Sequence, residues 1–305
     1  MNQRPSEMVP RSIRRVAIVG GTHGNEWTGV YLVKKLEQFP ASIERPTLEC
    51  ITLLANPKAI AANRRYIDRD LNRCFGSADL SNAKLTSYED QRAKEIATQL
   101  GPKDHPKVDF IIDLHSTTAN MGLTILPTTK HPFNLRLAAY LSHLHPDVRV
   151  CCGVQCSQDS PMLRSLSPFG CTIEVGAIAQ GVLDAQSLQQ TEILIHAILD
   201  YLDVINQGTP LPAPSDLTLY QAIASVDYPR NSAGELQAMI HPQLQFKDYE
   251  PLHNGAPMFL SFTGETIPYQ GEDLVYPVFI NEAAYYEKKI AIVLTKRQQF
   301  KLETA

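Results

Sequence analysis

No stretch of this sequence stays apolar for the ~18 residues that a membrane-spanning helix needs. The N-terminal segment, MNQRPSEMVPRSIRRVAIVG, carries charge, but its apolar part is only about four or five residues long. A secretory signal needs roughly 7–15. Neither charge is in large excess: the formal net charge is −4 over 305 residues, which offers little to nucleic acid or an anionic membrane. Internal repeats and low-complexity tracts are also missing. The expectation is a cytoplasmic protein that acts on a small molecule, with no nucleic-acid or membrane partner.

Paired C-x-x-C spacing is lacking too. Of six cysteines, three cluster as CCGVQC (Cys151, Cys152, Cys156), which is not the spacing of a zinc knuckle. They read as buried reduced thiols. Two phosphate-binding signatures fail on the residue that does the chemistry. After the apolar run 16–19 the chain reads GGTHGNEWTG. A dinucleotide fingerprint would use Gly21 and Gly24 but needs glycine where Val19 stands. A P-loop would use Gly24 and Gly29 but needs lysine where Val30 stands.

What is present is an alternation of buried strands and helices. Strands are expected at 14–19, 48–57, 108–116 and 171–176, and helices at 26–38, 90–101, 133–144 and 188–208. That pattern implies an α/β fold with a largely parallel sheet covered on both faces. After Gly208 a proline-rich linker, GTPLPAPSD, leads into short alternating segments. PMFLSFTGETIPYQGED reads as a hairpin and LVYPVFIN as a strand. The expected organisation is a domain over 1–208 and a smaller β-rich domain over 209–305.

Chemistry enters at His23-x-x-Glu26. An imidazole and a carboxylate three apart at a strand's mouth can face one centre, and glycines let the backbone bend there. Such a pair suits Zn²⁺, and a catalytic zinc takes three protein ligands plus water. His115, at the end of the apolar strand IIDLHS, is the best third ligand, since ligands bind at that edge of an open α/β sheet. Asp113, two residues back on the same face, suits a carboxylate partner for the imidazole. His131, His145, His241 and His253 lie beside or near prolines in loop-like contexts, and His196 lies inside a helix.

Glu174, inside the apolar strand CTIEVG, is either a salt-bridged structural carboxylate or a general base whose pKa burial raises. The segment NRRYIDRDLNR (63–73) adds four arginines to a net-acidic chain, with Asp68 and Asp70 placed to hold them. Arginine recognises carboxylates in bidentate fashion and stabilises oxyanions. Arg164 lies ten residues before Glu174. A zinc, a buried carboxylate and several guanidiniums describe hydrolysis of a substrate that carries carboxylates.

The stretches VAIVGGTHGNEWTGV, RYIDRDLNR, LGPKDHPKVDFIIDLHSTTANMG, IEVG, VDYPR, MIHPQLQFKDYEPLHNGAPMFL and VYPVFINEAAYYEKK, in this order, resemble the aspartoacylase/aminoacylase-3 family of the zinc carboxypeptidase-like superfamily. The resemblance runs from about residue 14 to 290. It implies a zinc carboxypeptidase-like catalytic domain with a mixed, largely parallel sheet, a β-rich C-terminal domain over the cleft, and a dimer or higher homo-oligomer. It implies one Zn²⁺ per subunit on His23, Glu26 and His115, with Glu174 as general base and Arg65 polarising the scissile carbonyl beside the metal. Asn72, Arg73 and Arg164 match substrate-carboxylate binders, and Tyr285 matches a tyrosine that reaches the site from the C-terminal domain. Two positions depart from the pattern. Ser160 replaces a tyrosine four residues before the substrate arginine, and Ser116 stands where the animal enzymes have asparagine. The implied reaction is hydrolysis of N-acyl-L-amino acids, with N-acetyl-L-aspartate the leading substrate. The alternatives are N-acetyl aromatic amino acids or S-conjugates, N-succinyl amino acids, a carboxypeptidase, or a non-catalytic binder.

Overall fold

The computed structural model describes residues 12–302 apart from 154, 155, 158, 210, 212 and 213. The first eleven positions of the N-terminal segment and three positions of the proline-rich linker therefore lie outside the described residues. The strands, in chain order, are β1 (Arg15–Gly20), β2 (Glu49–Leu54), β3 (Phe110–Ser116), β4 (Gly122–Pro127), β5 (Val148–Cys152), β6 (Phe169–Gly176), β7 (Asp216–Val226), β8 (Ala238–Ile240), β9 (Pro257–Ser261), β10 (Thr266–Pro268), β11 (Tyr276–Val278) and β12 (Ile292–Lys301). The helices are α1 (Trp27–Gln38), α2 (Pro57–Ala62), α3 (Ser77–Ser81), α4 (Tyr88–Leu100), α5 (Pro132–Leu144) and α6 (Ala185–Asn206). Among the described residues no helix is long and apolar enough to cross a membrane.

Local chemistry sets the element ends. Ser87 caps α4 by accepting the Asp90 N–H, and Gly101 stops that helix at φ 97°. Asp184 caps α6 through the Ser187 N–H. Asn56 caps α2 with Pro57 at its first position.

Nine strands form one sheet in the order β11-β12-β7-β5-β4-β6-β3-β1-β2. The segment β6-β3-β1-β2 is parallel, β4 runs antiparallel to β6, and β5 and β7 run parallel to β4. The sheet is thus mixed and largely parallel, with helices on both faces. On one face Val16, Ile18, Ile112, Leu114 and Ile173 pack with residues of α1, α5 and α6; on the other Ala17, Val19 and Ile111 pack with Ala93 and Ile96 of α4. Each such valine, leucine or isoleucine, fully buried, contributes about 1.5–3 kcal/mol relative to exposure.

The C-terminal region is β-rich, as expected, and β9 and β10 form the expected hairpin, joined by β8 in a three-stranded sheet. Its longer strands do something the sequence texture did not suggest. β7 pairs with β5, so β7, β12 and β11 continue the central sheet. The physical reason is the sheet edge: β5 would otherwise leave a row of backbone N–H and C=O groups unpaired. As a result, residues from both halves of the chain line one cavity.

Candidate active site

Strand periodicity places the chemistry on one face of the sheet. Asp113 and His115 alternate along β3 with Ile112 and Leu114, so both point away from the α1–α6 core. Across the parallel pairing, His115 is opposite Glu174 and Asp113 is opposite Thr172. The turn after β1 brings His23 and Glu26 to the same edge. Gly21 adopts φ +68°, which only glycine takes up cheaply. Gly24 serves a different purpose: a Cβ there would lie 2.1 Å from the Ala59 carbonyl carbon.

The ligand atoms of His23, Glu26 and His115, all buried, lie within 4.8 Å of one another. His23 Nδ1 is 2.6 Å from Glu26 Oε1, His115 Nδ1 is 2.9 Å from Glu26 Oε2, and the two Nδ1 atoms are 3.1 Å apart. The opposite ring nitrogens are both committed. His23 Nε2 is 2.9 Å from Asp70 Oδ1, and His115 Nε2 is 2.9 Å from Asp113 Oδ2. Ionised carboxylates only accept, so with a cation at the centre Asp70 and Asp113 would keep the Nε2 protons and leave both Nδ1 lone pairs to the cation. Thr22 Oγ1 donates to Asp113 at 2.8 Å and fixes that carboxylate.

Two imidazole nitrogens and a carboxylate converging in this way call for positive charge at their centre. Without a metal, a proton on His115 supplies part of it. Against burial, the Asp113 and Glu26 carboxylates hold His115 well above the usual imidazole range. Against burial too, His23 and His115 hold Glu26 well below the usual carboxylate range. The donor set fits a zinc ion, with two imidazoles and one carboxylate as ligands and second carboxylates orienting the rings.

Arg65 lies against this cluster. Its terminal nitrogens donate to Glu26 Oε1 at 3.0 Å and to Asp70 Oδ2 at 3.4 Å. Glu174 faces the cluster from β6 and, among the described residues, has no hydrogen-bond partner. Burial, reinforced by Glu26 and Glu282 and opposed by His115 and Arg65, pushes its carboxyl up to about 8.

His23, Glu26, Arg65, His115 and Glu174 border a cavity of about 450 Å³, as do Asn72, Arg73, Ser160, Arg164 and Tyr285. Arg164 is 5% exposed, donates to Thr172 Oγ1 at 3.0 Å, and keeps a buried Nε–H without a partner. Arg73 donates to the Asn72 carbonyl at 2.8 Å. Among the described residues neither guanidinium is ion-paired. Asn72 is buried and accepts the Leu163 N–H at 2.9 Å. Tyr285 enters from a short 3₁₀ turn (Ala283–Lys288) and packs on Phe279. Ser160, one position of departure from the family pattern, leaves only a hydroxymethyl group on the wall near Arg164. Ser116 contributes its backbone N–H to Glu26 Oε2 at 3.2 Å.

The two aspartates of the arginine segment divide their work. Asp70 accepts from His23, Arg65 and Lys288. Asp68 holds no arginine among the described residues and instead accepts the Tyr88 N–H at 2.8 Å, at the start of α4. The cysteines are free thiols. Cys151 and Cys152 are buried on β5, and Cys156 is half-buried with its sulfur 3.4 Å from that of Cys152.

Several residues that hold the site together were missed by the sequence reading. Buried Glu282 accepts from the N–H of Thr118 at 2.7 Å and of Ala119 at 3.3 Å and from the hydroxyls of Thr117 and Thr118, so it ties the C-terminal region to the loop after His115. Asp248 does the same for Asn120 and Ile280. Lys288 reaches Asp70 at 2.7 Å. Partners 32 to 218 residues apart leave no local sequence signal.

A His–Glu–His cluster stands at the carboxyl edge of a mixed sheet, with an arginine against it and an unpartnered carboxyl facing it, an arrangement compatible with a metal-dependent hydrolase. The sequence matches the succinylglutamate desuccinylase/aspartoacylase catalytic domain over residues 12–202 and the AstE/AspA barrel-sandwich hybrid domain over residues 215–297. The chain belongs to the succinylglutamate desuccinylase/aspartoacylase family. It is 56% identical to a probable aspartoacylase of Nostoc sp. over 94% of this chain and 97% of that one. It is 42% identical to the human N-acyl-aromatic-L-amino acid amidohydrolase (carboxylate-forming), over 96% of this chain and 93% of that one. The crystal structure of murine aminoacylase 3 superimposes with a TM-score of 0.92 at 40% identity, covering 96% of this chain and 98% of that one.

Proposed function

We propose that the protein hydrolyses the amide bond of N-acyl-L-amino acids, N-acetyl-L-aspartate foremost, releasing acetate and L-aspartate. His23, Glu26 and His115 would hold one zinc per subunit. Bound there, zinc supplies Lewis acidity and brings the pKa of a water toward ~7. Glu174 accepts the proton that the attacking water gives up and returns it to the amide nitrogen as the C–N bond breaks. Arg65, held by Glu26 and Asp70, lends its positive charge to the oxyanion of the tetrahedral intermediate. One such donor is typically worth ~3–4 kcal/mol. Asp113 and Asp70 keep the imidazoles in the tautomer that turns Nδ1 inward.

One observation carries the choice of substrate. The cavity wall presents two guanidiniums, Arg73 and Arg164, with no carboxylate of the chain paired to either among the described residues. Two free cations suit a substrate with two carboxylates. A second reading, an N-acetyl aromatic amino acid as substrate, draws on the apolar wall of Leu126, Ala222, Val278, Phe279 and Val293 and on the activity named for the human relative.

Steady-state kinetics of the zinc-loaded protein on N-acetyl-L-aspartate, N-acetyl-L-tyrosine and N-succinyl amino acids tests the reading. We expect kcat/KM at least about tenfold higher for N-acetyl-L-aspartate, and Arg164→Ala to raise KM for it by about tenfold or more, as for a charged hydrogen bond lost. A tenfold preference for the aromatic substrate would overturn the aspartate assignment.

A further inference from the structure

Glu89 is fully buried, at 0% exposure, and plays no part in the chemistry above. It sits in the first turn of α4. Its Oε1 accepts the Ile67 N–H at 2.7 Å and the Asn56 side-chain amide at 3.2 Å. Its Oε2 accepts the N–H groups of Asp68 at 2.9 Å and Arg69 at 3.2 Å. Among the described residues no cation is ion-paired with it; its partners are three backbone N–H groups and one side-chain amide.

The bonds run onward into the site. Asn56 donates its own N–H to the Gly21 carbonyl, in the turn that carries His23. Asp68 returns a bond to the Tyr88 N–H. A carboxylate that accepts from three successive backbone amides selects one path for that backbone. A glutamine cannot replace it, because its –NH₂ would face an N–H. On either side of the held segment stand Arg65 and Asp70, and just beyond them Asn72 and Arg73.

We infer that Glu89 is a positioning residue for the reaction: it fixes the backbone of residues 67–69, and so sets Arg65 and Asp70 against the His23–Glu26 pair and Arg73 on the cavity wall. The inference rests on the amide hydrolysis proposed above. The test uses the full chain, zinc-loaded, as Glu89→Gln and Glu89→Asp, the latter charged but one methylene short. Three readouts are taken: zinc stoichiometry, kcat and KM on N-acetyl-L-aspartate, and limited trypsin cleavage mapped by mass spectrometry.

We expect zinc to remain stoichiometric in Glu89→Gln, while kcat falls between about ten- and hundredfold, as for a catalytic group displaced by about 1 Å. Trypsin should cut faster at Arg64, Arg65, Arg69 and Arg73 without faster cutting elsewhere, and Glu89→Asp should fall between. If Glu89→Gln is not recovered folded, Glu89→Asp decides. Values of kcat and KM within twofold of wild type, with or without a lower Tm, would overturn the inference. Should the wild type hydrolyse no N-acyl amino acid, the functional reading fails, and the tryptic pattern alone decides: accelerated cuts confined to that segment uphold the positioning role, and an unchanged pattern overturns it.

Discussion

Replacing Gly24 by alanine adds one methyl group at a crowded point of the turn that carries His23 and Glu26. The new Cβ would lie 2.1 Å from the Ala59 carbonyl carbon, 2.3 Å from the Ile60 nitrogen and 2.4 Å from the Ala59 oxygen. The first distance is more than 1 Å inside ordinary contact, and every obstacle is backbone, so no side chain can swing away. Either α2 retreats or the turn does. Overpacking of this kind costs typically ~1–3 kcal/mol. The functional cost is larger, because the turn carries His23 and Glu26 while His115 stays on β3. Gly24 also donates its N–H to the Arg65 carbonyl at 3.2 Å, so Arg65 moves with it. A shift of about 1 Å lowers catalysis by about a hundredfold. The assays are chelator competition for zinc affinity and kcat/KM at saturating zinc. Gly76→Ala is the control, since its nearest neighbour would be 3.9 Å away. We expect Gly24→Ala to lose at least about tenfold in zinc affinity and about a hundredfold in kcat/KM, with Gly76→Ala unchanged. A Gly24→Ala protein that matches wild type in both would refute the reasoning.

Two further predictions concern the cluster. Asp113→Ala removes the acceptor of the His115 Nε2 proton and frees Thr22, and should weaken zinc binding by about 10–100-fold while the fold is retained; unaltered affinity in the same chelator competition would show that His115 needs no such partner. In the metal-free protein the Glu174 carboxyl is raised from 4.5 to about 8, chiefly by burial. A folded-state pKa above the unfolded value stabilises fully below about 4.5, and that contribution is lost as pH rises through about 8. Wild type should therefore lose up to about 1.4 kcal/mol per pH unit in this window relative to Glu174→Gln. The Tm difference, variant minus wild type, should grow from pH 6 to pH 8; a constant difference would place the Glu174 pKa elsewhere.

The sequence disclosed most where one residue type stood against its background. The apolar strands β1, β3 and β6 read clearly because both their faces are buried, and the His, Asp and Glu that break them are chemically out of place there. His115 and Glu174, on separate segments, turned out to be register partners, which no single segment could reveal. β4, β5, β7 and β12 were less legible. β5 is only five residues long, and β12 ends in the mostly polar run TKRQQFK, so neither shows a full apolar stripe. The pairing of β5 with β7 spans a proline-rich stretch that by composition marks a boundary, which is why the C-terminal half reads as separate when its strands extend the central sheet. Asp68 and Asp70 look alike in sequence, yet one accepts the first N–H of α4 and the other holds an imidazole 47 residues away. Glu282 and Glu89 give no signal because what they hold is mainly backbone, distant in sequence.

The most direct test is turnover of Glu174→Ala at full zinc occupancy, measured on the best N-acyl amino acid of the wild-type panel. With zinc still stoichiometric on His23, Glu26 and His115, kcat should fall by about 10²–10⁴-fold, the usual contribution of a positioned general base. Turnover within a few-fold of wild type, zinc bound, would mean that the unpartnered carboxyl facing the His–Glu–His cluster is not the group that moves the proton.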